Sequence, residues 1–74
     1  MMYLYRFEVI TNEYITKVVV AAEKDENAFE QVEYELEQYF LKKPEIIDLS
    51  LYEKRRIANG TGYVLYEQEN NVAG

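Results

Sequence analysis

Residues 25–43, DENAFEQVEYELEQYFLKK, decide how the rest of the chain is read. On a helical wheel Ala28, Phe29, Val32, Leu36, Tyr39 and Phe40 fall within roughly one third of the circumference, the apolar stripe of a helix that lies on a sheet. Asp25 is the better N-cap by chemistry, with Glu26 favourable beside the positive helix end. Lys24 is an alternative boundary that brings no capping oxygen. Lys42 and Lys43 suit the negative end, and Pro44 stops the helix.

The sheet is expected on either side of this helix. Residues 3–11, YLYRFEVIT, alternate: Tyr3, Tyr5, Phe7 and Val9 share one face, Leu4, Arg6, Glu8 and Ile10 the other. Residues 14–22, YITKVVVAA, are rich in β-branched side chains and read as a second strand. Asn12-Glu13 lies between them, and Asn tolerates the positive φ of a tight hairpin turn. A two-residue turn there sets Phe7 opposite Val18, Tyr5 opposite Val20 and Val9 opposite Thr16. On the second face it sets Glu8 opposite Lys17 and Ile10 opposite Ile15. Matched apolar pairs and one opposite-charge pair from a single register support the hairpin.

After the helix, EIIDLSL (residues 45–51) alternates with Ile47, Leu49 and Leu51 on one face, a third strand. Residues 52–58, YEKRRIA, admit two readings. In one the strand continues to a hairpin at Asn59-Gly60, with YVLYE (residues 63–67) returning as a fourth strand and a bulge near Tyr52. In the other, Ser50 and Glu53 form a capping box for a short helix that Asn59-Gly60 closes. The expected architecture is β-β-α-β-β, an α+β two-layer domain over residues 1–67: an antiparallel sheet with one amphipathic helix on one face. Residues 68–74 lack an apolar pattern and are expected to be a disordered tail.

Composition narrows the chemistry. The 74 residues hold no cysteine and no histidine, which removes disulfides, thiolate sites and the usual zinc ligands and general base. No catalytic, metal or cofactor site is expected. No apolar run approaches the roughly 18 residues of a membrane span, and the N-terminus does not read as a signal peptide, so a cytoplasmic protein is expected. Charge is informative by position: residues 23–37 carry seven acids against Lys24, a local −6 that equals the formal charge of the whole chain. That excess disfavours nucleic acid as a partner for the helix.

The lead-in and helix (VVVAAEKDENAFEQVEYELE), together with LYEKRRIANGTGYVL near the C-terminus, resemble a small bacterial family of domains of unknown function. The resemblance spans residues 3–66. It implies a domain of this size in a cytosolic setting, with no assigned active residues.

Three surfaces remain as candidates. Glu26, Glu30, Glu33 and Glu37 form an acidic stripe, and Tyr34 and Leu41 lie opposite the core stripe; together they could meet a protein partner. Leu4, Ile10, Ile15 and Val19 lie on the sheet face that a single helix leaves uncovered, which points to a homodimer through that face. Lys54, Arg55 and Arg56 with Tyr63 are the alternative, a basic cluster that could hold the phosphates of a nucleic acid or nucleotide.

Overall fold

The computed structural model describes residues 1–62 and 64. Three antiparallel strands and one helix follow in the order β1 (Tyr3–Thr11), β2 (Ile15–Ala22), α1 (Asp25–Phe40) and β3 (Ile46–Arg56). The sheet order is β2-β1-β3, so β1 is the central strand and both of its edges are paired.

The first hairpin forms in the register the alternation predicts: Tyr5 faces Val20, Phe7 faces Val18, Glu8 faces Lys17 and Ile10 faces Ile15. Its turn works differently from the expectation. Asn12 does not adopt a positive φ. The buried Thr11 hydroxyl holds the turn instead, accepting from the backbone N–H of Glu13 (3.1 Å) and Tyr14 (3.0 Å) and donating to the Tyr14 carbonyl (3.2 Å). A Thr side chain thus supplies locally what an Asn backbone would have supplied by conformation.

Helix α1 begins one residue before the preferred cap. Lys24 is the N-cap, extended and without a side-chain capping bond, and the first helical bond runs from the Ala28 N–H to the Lys24 carbonyl at 3.1 Å. Asp25 fails to cap because its carboxylate is engaged elsewhere: Oδ1 accepts from the Tyr5 hydroxyl and from Lys54 Nζ, both at 2.8 Å. At the other end the helix stops at Phe40, short of the Lys42-Lys43 pair. Leu41 closes it in the left-handed conformation (φ 56°), the one non-glycine residue at positive φ among those described. Lys42 turns back to Glu13 at 2.8 Å, tying this end of the helix to the β1–β2 turn.

The core lies between α1 and one face of the sheet. Tyr5, Phe7, Val9, Val20 and Ala22 from the sheet are buried against Ala28, Val32 and Leu36. Phe29 and Phe40 flank this stripe, with ring centroids 5.0 Å from Phe7 and 4.2 Å from Tyr14 respectively. Tyr39, expected in the core, is 80 % exposed and meets Phe40 edge-on at 4.8 Å. The periodicity places it on the stripe by angle, where it borders an open hollow with Thr16, Lys17, Val18 and Val19 of β2.

β3 continues through residue 56, which settles 52–56 as strand rather than short helix. It pairs with β1 and bulges twice: Arg6 faces Glu53 while Phe7 faces Leu51, leaving Tyr52 as an extra residue, and Ile10 faces Asp48 while Thr11 faces Ile46, leaving Ile47. The second bulge turns the expected alternation over at its start. Ile46 packs on the core and Ile47 is 67 % exposed, although Leu49 and Leu51 keep the helix-side face.

The second hairpin is not formed among the described residues. Ala58–Thr61 makes a turn closed by the Thr61 N–H to the Ala58 carbonyl at 3.0 Å, with Gly60 at φ 83°. Asn59 has no positive φ and Gly60 does, so the turn has type II character rather than that of the type I′ or II′ turns that close two-residue hairpins. Val64 belongs to no strand. Tyr63 and residues 65–67 of the expected fourth strand, and the expected tail 68–74, lie outside the described residues. Among the described residues the domain is therefore α+β, with the element order β-β-α-β.

Candidate functional site

The face of the sheet opposite α1 carries no covering element among the described residues. Its composition follows from the register. β1 contributes Leu4, Arg6, Glu8 and Ile10; β2 contributes Ile15, Lys17, Val19 and Ala21; β3 contributes Asp48, Ser50, Glu53 and Arg55, with the bulged Tyr52. Ile15 is 68 % exposed and Val19 40 %. Leu4 and Ile10 are half-buried because the neighbouring strands shield a central one.

Arg6, Glu8, Lys17 and Glu53 form a charged band across the middle of this face, with Asp48 beside Ile10 at one end and Arg55 beside Leu4 at the other. Arg6 Nε lies 3.6 Å from Glu53 Oε1 and Lys17 Nζ 3.9 Å from Glu8 Oε2. Tyr52 donates its hydroxyl to Glu8 at 2.8 Å, and its ring centroid is 5.8 Å from the Arg6 guanidinium carbon. The Glu8 carboxylate holds the Tyr52 phenol above its ordinary 10.0. Arg55 bonds Glu53 and also donates to the Gly62 carbonyl at 3.2 Å. Three bases (Arg6, Lys17, Arg55) stand against three acids (Glu8, Asp48, Glu53), so the face is neutral on a chain of net charge −6. Apolar side chains sit at both ends of the band: Ile10 and Ile15 at one, Leu4 and Ala21 at the other, with Val19 beside Arg6.

The helix presents the opposite character. Glu26, Glu30, Glu33 and Glu37 are exposed, as is Tyr34, and Leu41 is 88 % exposed. Tyr34, Glu30, Glu33 and Glu37 line a shallow open hollow with Lys43 and Pro44. The acidic stripe and Tyr34 are thus brought together. Leu41 points outward from the left-handed cap. Among the described residues no group of acids is placed to hold a metal ion, and no helix is long and apolar enough to cross a membrane.

The basic cluster is dispersed by the strand. Lys54 pairs with Tyr5 and lies on the helix side, Arg55 pairs with Leu4 on the open face, and Arg56 pairs with Tyr3 back on the helix side. Lys54 is committed to the fold: its Nζ is 2.8 Å from Asp25 and sits over the rings of Tyr3 (4.5 Å) and Tyr5 (5.4 Å). Tyr63 lies outside the described residues.

The Tyr5–Asp25–Lys54 group anchors the N-terminus of the helix to β1 and β3. Hydrogen bonds from Lys54 and then Tyr5 hold the Asp25 carboxyl below its ordinary 3.8, while burial, reinforced by Asp25, pushes the Tyr5 phenol up. Asp25 raises the Lys54 ammonium above 10.5. A depressed carboxyl stabilises the fold above its unfolded-state value and loses that contribution as pH falls through the folded-state one. Acid should therefore loosen this anchor from pH 3.8 downward, whereas the Lys54 contribution is lost only above pH 10.5. Thermal midpoints of the wild type should drop more steeply below pH 4 than those of Asp25→Asn. Parallel profiles would show that the anchor contributes nothing.

The chain matches, over residues 2–65, the family described as "Protein of unknown function (DUF3906)". It belongs to the DUF3906 family. The match covers both the hairpin–acidic helix stretch and the C-terminal stretch whose residues carry the resemblance. No curated protein and no solved structure matches the chain. The family description assigns no activity and no residues, so the DUF3906 domain has to be read from its own surfaces.

The sequence located half of the open face. Leu4, Ile10, Ile15 and Val19 were legible from the hairpin register. Asp48, Ser50, Tyr52, Glu53 and Arg55 were not, because the pairing of β3 with β1 places them there. The alternation of polar residues at 48 and 50 was the available signal.

Proposed function

We propose that this DUF3906 domain is a small, non-catalytic interaction module of the bacterial cytosol, which pairs with a second copy of itself through the open sheet face. The acidic helix, with Tyr34 and Leu41, then faces outward toward a protein partner of opposite charge. The observation that carries this reading is the contrast between the two surfaces: a half-apolar, neutral sheet face and a helix bearing the whole excess of negative charge. Apolar surface left facing water is stabilised by burial against another molecule. Two copies of an acidic protein meet with least repulsion where each is neutral.

A catalytic role has little support, since histidine and cysteine are absent and the hollows on the surface are open and shallow. Nucleic acid is disfavoured by the divergence of Lys54, Arg55 and Arg56 and by the commitment of Lys54 to Asp25.

Sedimentation equilibrium at two protein concentrations, low and high micromolar, tests the reading. The apparent mass should rise from 8.8 kDa toward twice that value. A chain that stays monomeric at high micromolar concentration would remove self-association from the account.

A further inference from the structure

The open face also specifies how two copies meet, provided that a second copy is what occupies it, as proposed above. Sheets stacked face to face keep their strands within about 30° of alignment, and a closed pair needs a two-fold axis lying in the plane of contact. Two axis directions satisfy both conditions.

An axis along β1 sets each central residue against itself, Arg6 on Arg6 and Glu8 on Glu8. It also lays β2 over β3, placing Ile15 on Asp48 and Val19 on Glu53. Like charges directly opposed across an interface cost several kcal/mol, and two acids would be buried against apolar side chains.

An axis across β1, passing between Arg6 and Glu8, gives a different set of pairs. β1 runs antiparallel to its copy, so Arg6 meets Glu8 and Glu8 meets Arg6. Leu4 meets Ile10, Ala21 meets Ile15, and Val19 lies on the aliphatic stem of Lys17. At the β3 side Arg55 meets Asp48, and Glu53 meets Ser50. Arg6, Glu8, Arg55 and Asp48 then face opposite charges and Glu53 faces Ser50. Lys17 covers Val19 with its stem and keeps its ion pair with Glu8 of its own copy. Arg6 is beside this axis, and its Nε is enclosed without a hydrogen bond among the described residues. The rest of its side chain keeps some exposure, and there a carboxylate of the second copy can reach the guanidinium.

We infer that the DUF3906 domain forms a two-fold dimer whose axis crosses β1 between Arg6 and Glu8, with the Leu4 end of one copy seated on the Ile10 end of the other. The arrangement stacks helix, sheet, sheet and helix. Sheets about 10 Å apart, each with a helix a similar distance behind it, set the two acidic helices roughly 30 Å apart, beyond three Debye lengths at physiological salt. Pairing along the β2 edges instead would bring the helices side by side, because α1 runs closest to β2. The face, three strands wide and about eight residues long, has a flat area of roughly 400 Å² per copy, below the ~800 Å² of a standard interface. A weak dimer, in the micromolar range or above, is the expected outcome.

The chain has no cysteine, so single-cysteine variants can be crosslinked without background. Leu4 and Ile10 are six residues apart on one strand, about 20 Å. With the axis across β1, a short bis-maleimide should join Leu4→Cys to Ile10→Cys in a mixture, giving a dimer band several-fold stronger than either variant alone. The exposed pair Ile15→Cys and Ala21→Cys should behave the same way and avoids altering half-buried positions. Variants that each crosslink to themselves would overturn the axis while leaving the dimer intact. A dimer in sedimentation that crosslinks in no combination would overturn the use of this face. A monomer would overturn the self-association reading and the axis together.

Discussion

Phe7→Ala should cost about 3–5 kcal/mol, the range for truncating a buried phenylalanine. Phe7 is fully buried on the central strand, its ring 6.1 Å from Tyr5 and 5.0 Å from Phe29, and Val18 and Leu51 flank it across both neighbouring strands. A domain of this length has a total stability on the order of 4–11 kcal/mol, so the loss removes a large part of it. The thermal midpoint should fall by roughly 15–30 °C, or the chain should be unfolded at room temperature. Tyr39→Ala is the matched control. Although Tyr39 lies on the apolar stripe by periodicity, it is 80 % exposed, and its removal should change stability by about 0.5 kcal/mol or less. Equal destabilisation by the two variants would contradict the placement of the core.

Val19→Lys should leave the fold intact and abolish self-association. Val19 is 40 % exposed on the edge strand β2, so the monomer loses little when it is replaced. At the interface the effect is large, because a two-fold axis counts every change twice. Each copy would bring a new ammonium onto the Lys17 of the other, and one like-charge contact costs several kcal/mol. Two such contacts weaken the dimer by well over about 100-fold, since 1.4 kcal/mol is tenfold. Circular dichroism should match the wild type while the apparent mass drops to that of the monomer. The thermal midpoint should fall by only a few degrees, since the new ammonium sits opposite Arg6 in its own sheet. A variant that unfolds, or one that still associates as the wild type does, would contradict the assignment of Val19 to the contact face.

How much of this was legible in the chain depends on the range of the forces involved. The β1–β2 register was readable because two turn residues fix the parity, and a shift by one would expose Tyr5, Phe7 and Val9 together. The cap of the helix was not, for a non-local reason. Asp25 has the right chemistry for a cap, but Lys54, 29 residues later in the chain, and Tyr5 compete for its carboxylate. A bulge near Tyr52 and the shared face of Leu49 and Leu51 were readable. The bulge at Ile47 left no periodic trace, so the start of β3 could be assigned only once its pairing with β1 was known. The expectation of a second hairpin rested on Asn59-Gly60, a dipeptide that fits a type I′ turn as well as the type II geometry it takes here.

The candidate surfaces divide in the same way. The acidic stripe was visible as helical spacing and lies where that spacing puts it. The basic cluster was contiguous in sequence and is split by the two-residue period of the strand, with Lys54 and Arg56 on one face and Arg55 on the other. The neutrality of the open face could not be read from the hairpin alone, because two of its three acids and one of its three bases arrive with β3.

Sedimentation equilibrium of the wild-type chain beside Val19→Lys, at several hundred micromolar and near-physiological salt, tests the central claim most directly. The wild type should approach twice 8.8 kDa while the variant stays at the monomer mass. A wild type that remains at the monomer mass under these conditions, or a variant that associates to the same extent, would contradict it.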